Sequence, residues 1–284
     1  METRVEVGAM MIDRWMAALA AAWLAAAPAA AQKLDAPDTA AHRSARLFTR
    51  RDLYIAGGFA AGALVMAPLD RSLANALQDS SVQANQILEH SATGVRVLGM
   101  PGSMIISGGM FAAGRALKWP RMTDIGLHTF ESIVLAEGIT FTAKGFAGRA
   151  RPFVRPDNPV DYAFSRGFSD DDHQSMPSGH TSAAFAAASA ATSEVGYWWP
   201  KRKTLAAVTL YTAAGLVGVS RMYNNRHWAS DVVVGAGVGA FSGWKVVGYT
   251  HAHPDNPFDR VLLGTRVTPA GNGGMAITWS SQAH

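Results

Sequence analysis

The chain has no cysteine among its 284 residues. Disulfides, thiolate metal centres and cysteine nucleophiles are therefore excluded, and stability has to come from packing. The alternating pattern of a half-buried strand is nearly missing before residue 258, which removes sheet-based domains from consideration. No internal repeat is present, and no run of Lys and Arg is interleaved with aromatics, so nucleic acid is not an expected partner. Charged residues are only 16% of the chain, and they leave 53–69, 97–114 and 204–219 without any charge. Each stretch is at or just under the length of a membrane span and is diluted by Gly, Ala, Ser and Pro.

What the sequence does have is helical periodicity rich in small residues. It predicts helices over 53–67, 71–90, 94–117 with an interruption near Pro101, 122–148, 180–196, 202–220 and 227–248. The fold class is an all-α helical bundle in one domain. Segment 153–176, with Pro156, Asn158, Pro159, Gly167 and the run Asp170-Asp171-Asp172, reads as a long loop. Its place between two charged motifs gives it a functional role. The tail 256–284 carries Val261-Leu262-Leu263 and Ala276-Ile277-Thr278-Trp279 around Gly271-Asn272-Gly273-Gly274, which suits a small C-terminal β-hairpin.

Arg14 precedes an apolar stretch over 15–27, and Pro28 with Ala29-Ala30-Ala31 supplies a small-residue cleavage pattern before Gln32. Residues 1–31 are read as a signal peptide in preference to an uncleaved anchor helix, 32–52 as a flexible lead-in, 53–255 as the helical domain and 256–284 as a tail. Removing 1–31 takes away two basic and three acidic residues and moves the net charge from +4 to +5. An exported, periplasmic and basic protein suits anionic substrates or lipid surfaces. Helix 122–148 carries His128, Glu131, Glu137 and Lys144, which are costly facing lipid. A soluble or membrane-associated bundle is therefore preferred to an integral protein of five or six short spans. Trp198, Trp199 and Trp228 suit either an interface or a packed core.

Three segments carry chemistry. Lys144 and Arg151, seven apart and so nearly two helical turns, project from one stripe at a helix end, which Pro152 terminates. Pro177-Ser178-Gly179-His180 precedes an Ala-rich helix, so free backbone amides, a close-approach glycine and a hydroxyl donor meet at its start. Ser220-Arg221 is followed by His227 and Asp231, four apart on one helix face, where the carboxylate can accept from one imidazole nitrogen and leave the other lone pair free. Asp170, Asp171, Asp172 and His173 lack the spacing of a calcium loop, so no catalytic metal is expected. Gly235-Ala236-Gly237-Val238-Gly239 has no strand before it and reads as close helix packing rather than a nucleotide turn.

The ordered string Lys-x6-Arg-Pro, Pro-Ser-Gly-His and Ser-Arg-x5-His-x3-Asp, over residues 144–231, resembles the three-part signature of the type 2 phosphatidic acid phosphatase and vanadium haloperoxidase superfamily. The resemblance implies a helical bundle of that kind and a metal-independent phosphatase acting on phosphate monoesters. Its substrate would be a lipid phosphate such as phosphatidic acid, or a small soluble ester. His227 would be the nucleophile, Asp231 its orienting carboxylate, and His180 the acid for the leaving oxygen and later the base for water. Lys144, Arg151, Arg221, Ser178 and the Gly179 amide would bind the phosphate oxygens. No cofactor is expected unless the same pocket holds vanadate, as in a haloperoxidase. The other alternative is a membrane-associated phosphate-binding protein without turnover.

Overall fold

The computed structural model describes residues 49–269 and 275–279. The expected signal peptide and all of the lead-in before Thr49 lie outside the described residues. Thr49 opens the first helix, α1 (Arg50–Met66), through a capping box in which Thr49 and Asp52 each satisfy the other's backbone N–H. Helix formation therefore starts a few residues earlier than the apolar pattern suggests. Short helices follow: α2 (Asp70–Leu77), α3 (Ser80–Gln83) and α4 (Gln86–Arg96). Asp79 and Asn85 cap α3 and α4 with their side chains, which breaks the single helix expected over 71–90. Then come α5 (Gly102–Ala116), α6 (Pro120–Ala147), α7 (Gly179–Trp198), α8 (Lys203–Tyr223) and α9 (Ala229–Ala252). In the tail, α10 (Pro257–Gly264) takes up Val261-Leu262-Leu263, and β1 (Thr265–Pro269) pairs antiparallel with β2 (Met275–Trp279).

The all-α bundle is built around α7, whose Ala183, Ala186, Ala190, Thr181 and Ser182 are fully buried. Its main neighbour is α9, and a row of glycines spaced by four explains how close the two lie. A Cβ on Gly235 would sit 2.6 Å from the Ser178 carbonyl oxygen, and one on Gly243 at 2.6 Å from that of Ala186. A Cβ on Gly239 would overlap the Ser182 carbonyl oxygen. Only hydrogen fits at these positions, so the two backbones touch along about two turns. The glycine pattern is thus a packing device, as the absence of a preceding strand implies.

The outer surface favours the membrane-associated form of the expected bundle over the soluble one. Leu53, Leu64 and Val65 on α1, Ile105 and Ile106 on α5, and Leu205 and Leu216 on α8 are all exposed, Leu64 by 75%. Patches of this kind mark contact with lipid or protein rather than water. Three helical stretches are long and apolar enough to cross a bilayer: Arg50–Leu77, Pro200–Tyr223 and Ala229–Ala252. These features favour a membrane-bound protein, and the charges on α6 that argued against this are turned into the bundle, where His128 is buried and Glu131 and Glu137 each keep a buried carboxylate oxygen.

Candidate active site

Helix α6 ends at Ala147 because Gly148 takes the left-handed conformation, φ 54°, and a side chain there would strike the Ala163 carbonyl. Lys144 is therefore on the last turn, but Arg151 lies in the loop beyond it rather than on a common helical stripe. The two cations are brought together differently. The Lys144 ammonium donates to the Gln174 carbonyl at 2.7 Å, and Arg151 Nε donates to the Asp171 carbonyl at 2.9 Å. Loop 153–176 thus folds back onto the helix end and holds both side chains. Within it Asp170 accepts from Arg166 and faces His173, so this carboxylate is satisfied inside the loop.

Between the two cations, Arg149 turns inward and is 2% exposed. Its guanidinium donates to Asp70 Oδ2 at 2.8 Å, to Asp231 Oδ1 at 2.5 Å and to the Ser230 hydroxyl at 2.8 Å. Asp70, near the other end of the sequence, also accepts from the Ser230 amide and hydroxyl. One buried cation thus balances two buried carboxylates and ties α2, the post-α6 loop and α9 into one network.

Asp231 uses its second oxygen for Ser175 and for the first turn of α9. Oδ2 accepts from the Ser175 hydroxyl at 2.6 Å and from the Trp228 amide at 2.8 Å. His227 does not hydrogen-bond this carboxylate, whose Oδ2 lies 3.9 Å from Nδ1. Instead Nδ1 donates to the Ser175 carbonyl at 2.6 Å. The expected direct His227–Asp231 bond is replaced by an indirect one: Asp231 fixes Ser175, and Ser175 fixes the imidazole. The outcome for Nε2 is the same, a lone pair without a hydrogen-bond partner among the described residues. Burial, reinforced by the nearby Lys144 and Arg151 cations, lowers His227 to about 3, so the ring is neutral at physiological pH.

The start of α7 completes the site. Ser178 is fully buried; its amide donates to the Asp231 carbonyl at 3.1 Å, and its hydroxyl accepts from Thr181 at 2.8 Å, leaving the hydroxyl proton free to donate. Gly179 packs against Glu137 and Lys144, and a Cβ there would come 3.2 Å from Glu137 Oε2. His180 follows on the first turn, with Gly99 pressed against its backbone. Burial lowers His180 to about 4, helped by the Arg221 and Lys144 charges. Arg221 is buried, and its Nε has no hydrogen-bond partner among the described residues. Arg96 and Arg226 lie near enough to add to this field; both are exposed, and Arg226 stacks on Phe153 at 4.9 Å. Two neutral imidazoles therefore face cations that lack carboxylate partners, an arrangement that attracts an anion.

All eight residues singled out in the sequence fall at this end of the bundle. Sequence reasoning missed the roles of Arg149, Asp70, Ser175 and Ser230, which hold the others in place. Arg149 stands within Gly148-Arg149-Ala150-Arg151, where nothing distinguishes a buried arginine from an exposed one.

The PAP2 superfamily model matches residues 126–255. The Lipid A 1-phosphatase of Porphyromonas gingivalis is 45% identical over 130 residues, 46% of this chain and 24% of that protein. The chain thus spans about a quarter of that curated relative. Among solved structures, Aquifex aeolicus LpxE is 20% identical, covers 64% of this chain and 96% of its own, and gives a TM-score of 0.47. A transmembrane PAP2 type phosphatidylglycerolphosphate phosphatase from Bacillus subtilis is 21% identical, covers 72% and 99%, and gives 0.35.

Proposed function

From a chain that carries a PAP2 superfamily domain over residues 126–255, we propose a membrane-bound phosphatase that hydrolyses the phosphate monoester of a lipid through a phosphohistidine at His227. The observation that carries this reading is His227 itself, a neutral imidazole with Nδ1 committed to the Ser175 carbonyl and with the Lys144 and Arg151 charges close by. Nε2 attacks phosphorus, and the bond to the lipid oxygen breaks as His180 supplies its proton. Water, deprotonated by His180, then releases phosphate from His227. Lys144, Arg151, Arg221, the Ser178 hydroxyl and the Gly179 amide stabilise the charge that gathers on the non-bridging oxygens. These side chains supply the positive charge of the reaction, so the catalytic steps call on no metal.

His180 starts neutral, held so by burial and by Arg221 and Lys144. A phosphate dianion offsets those cations, and the imidazole takes up its proton only when substrate is present. Burial and Arg151 push Lys144 down to about 8, so its charge is present below that pH and lost above it. The kcat/KM profile should therefore fall above about pH 8. In Lys144→Arg the fall should move to higher pH, because arginine stays charged there. An alkaline fall unchanged in that variant would assign it to another group.

A lipid substrate is favoured over a soluble ester by the aromatic surface beside Lys144. Phe146 stacks on Phe164 at 5.7 Å and meets Phe168 edge-on at 5.1 Å, and Phe164 is 81% exposed. Such rings suit the membrane interface at the mouth of a site that receives a lipid headgroup. The relative that acts on lipid A, by its name, is consistent with this class. Export of the site to the periplasmic side rests on the N-terminal signal pattern of the sequence.

The test compares phosphate release from detergent-dispersed lipid phosphates and from p-nitrophenyl phosphate. Phe164→Ser should lower kcat/KM for the lipid by roughly tenfold, the loss of about 1.5 kcal/mol of apolar contact, and leave the soluble ester unchanged. Equal effects on both substrates would remove the lipid reading, and no release from any of them would remove the phosphatase reading.

A further inference from the structure

A second cluster of titratable groups, two buried and one half-buried, lies far from the phosphate end. On α6, His128 is sixteen residues before Lys144; on α7, Glu194 is fourteen after His180; on α9, His251 is twenty after Asp231. At 1.5 Å per residue these offsets place the cluster about 20–30 Å away, at the other end of the same three helices. The reaction uses none of these residues.

His128 Nδ1 lies 2.6 Å from Glu194 Oε1, and His251 Nε2 lies 2.9 Å from the same oxygen. The donor atoms of all three residues fall within 4.8 Å of one another. Glu194 is fully buried, yet its Oε2 has no hydrogen-bond partner among the described residues. A carboxylate built only to accept from two imidazoles would not leave one oxygen buried and unpaired. His128 presents its other nitrogen, Nε2, to Asp259 Oδ2 at 3.7 Å, and Asp259 is itself held by the Asn256 amide at 2.6 Å. That is the outer support usual for a ligating histidine, a carboxylate facing the nitrogen that does not bind metal. Tyr197 stacks on the His251 ring at 3.9 Å and fixes its plane.

We propose that His128 Nδ1, His251 Nε2 and the Glu194 carboxylate bind one divalent first-row transition ion, zinc first among them, which joins α6, α7 and α9 at the end remote from catalysis. Two imidazoles and one carboxylate select such an ion over magnesium or calcium, which prefer oxygen alone. The ion gives Glu194 Oε2 a partner. Its charge also offsets an excess of buried carboxylate, since Asp259 Oδ1 and Glu131 Oε1 are likewise without partners. Water or a neighbouring carboxylate completes the coordination. The role is structural, and it is independent of the phosphatase reading.

The test uses the full chain purified in detergent, stripped with chelator and titrated with Co2+, whose visible absorption reports tetrahedral binding. The wild type should develop bands that saturate at one equivalent, lost on adding Zn2+, and Zn2+ should raise its thermal midpoint. Glu194→Gln and His251→Ala should each abolish those bands, and Asp259→Asn should keep the stoichiometry with about 10–100-fold weaker affinity. His227→Ala should bind as the wild type does, which separates this site from the phosphate pocket. Folded wild-type protein that shows no saturable bands, or binding unchanged in Glu194→Gln and His251→Ala, would overturn the proposal. The wild-type titration decides the matter even if a variant fails to fold.

Discussion

Replacing His227 by alanine should reduce phosphate release by at least about 10⁴-fold, with the thermal midpoint little changed. The imidazole gives up one internal hydrogen bond, to the Ser175 carbonyl, so the structural cost is small while the proposed nucleophile is gone. His180→Ala should behave differently. Its loss is expected at about 10²–10⁴-fold for an alkyl phosphate, where the leaving oxygen needs a proton. For p-nitrophenyl phosphate, whose leaving group departs without one, the loss should shrink sharply. Rapid quenching in base with radiolabelled lipid phosphate should trap label on His180→Ala but not on His227→Ala. Label retained by His227→Ala would place the nucleophile elsewhere, and equal losses for both substrates would deny His180 the acid's role.

Arg149→Met should be the most destabilising single change at this end of the bundle. It leaves Asp70 and Asp231 buried, each less than 2% exposed, without the cation that balances them. Breaking a buried pair in this way costs about 3–5 kcal/mol. That corresponds to a fall of about 6–20 °C in thermal midpoint for a domain of this size. Flanking rings add to the cost, since the guanidinium lies 5.2 Å from the centre of Tyr162 and 5.6 Å from that of Trp228. Adding Asp70→Asn to Arg149→Met should recover part of the stability by removing one stranded charge. Activity should not recover, because Asp231 would still lack the contact that sets Ser175 and, through it, His227. A change under about 3 °C in Arg149→Met would show that the network contributes little.

The two predictions draw on different kinds of information. His227 and His180, the proposed nucleophile and acid, stand out in the sequence because reactive side chains must be particular residue types, and the three short segments keep them at fixed spacings. Helices were equally visible, since a 3.6-residue apolar period is a local property. Boundaries moved where a cap intervened, as at Thr49, Asp79 and Asn85, or where Gly148 left helical geometry before Arg151. The sequence leaves membrane attachment open because charges on a helix can face inward, and only the packed bundle shows which way His128, Glu131 and Glu137 point.

By itself, then, the sequence determined the all-helical class, the three charged segments and the glycine row that lets α7 and α9 touch. Tertiary structure alone decided that Asp231 serves His227 through Ser175 and that Arg149 is the cation beneath the site. It alone decided that His128, Glu194 and His251 converge. Asp70 and Arg149 are 79 residues apart, and His128 and Glu194 are 66 apart. Contacts across such separations depend on how whole helices dock, and no local pattern in the chain encodes which buried donor will meet which buried acceptor.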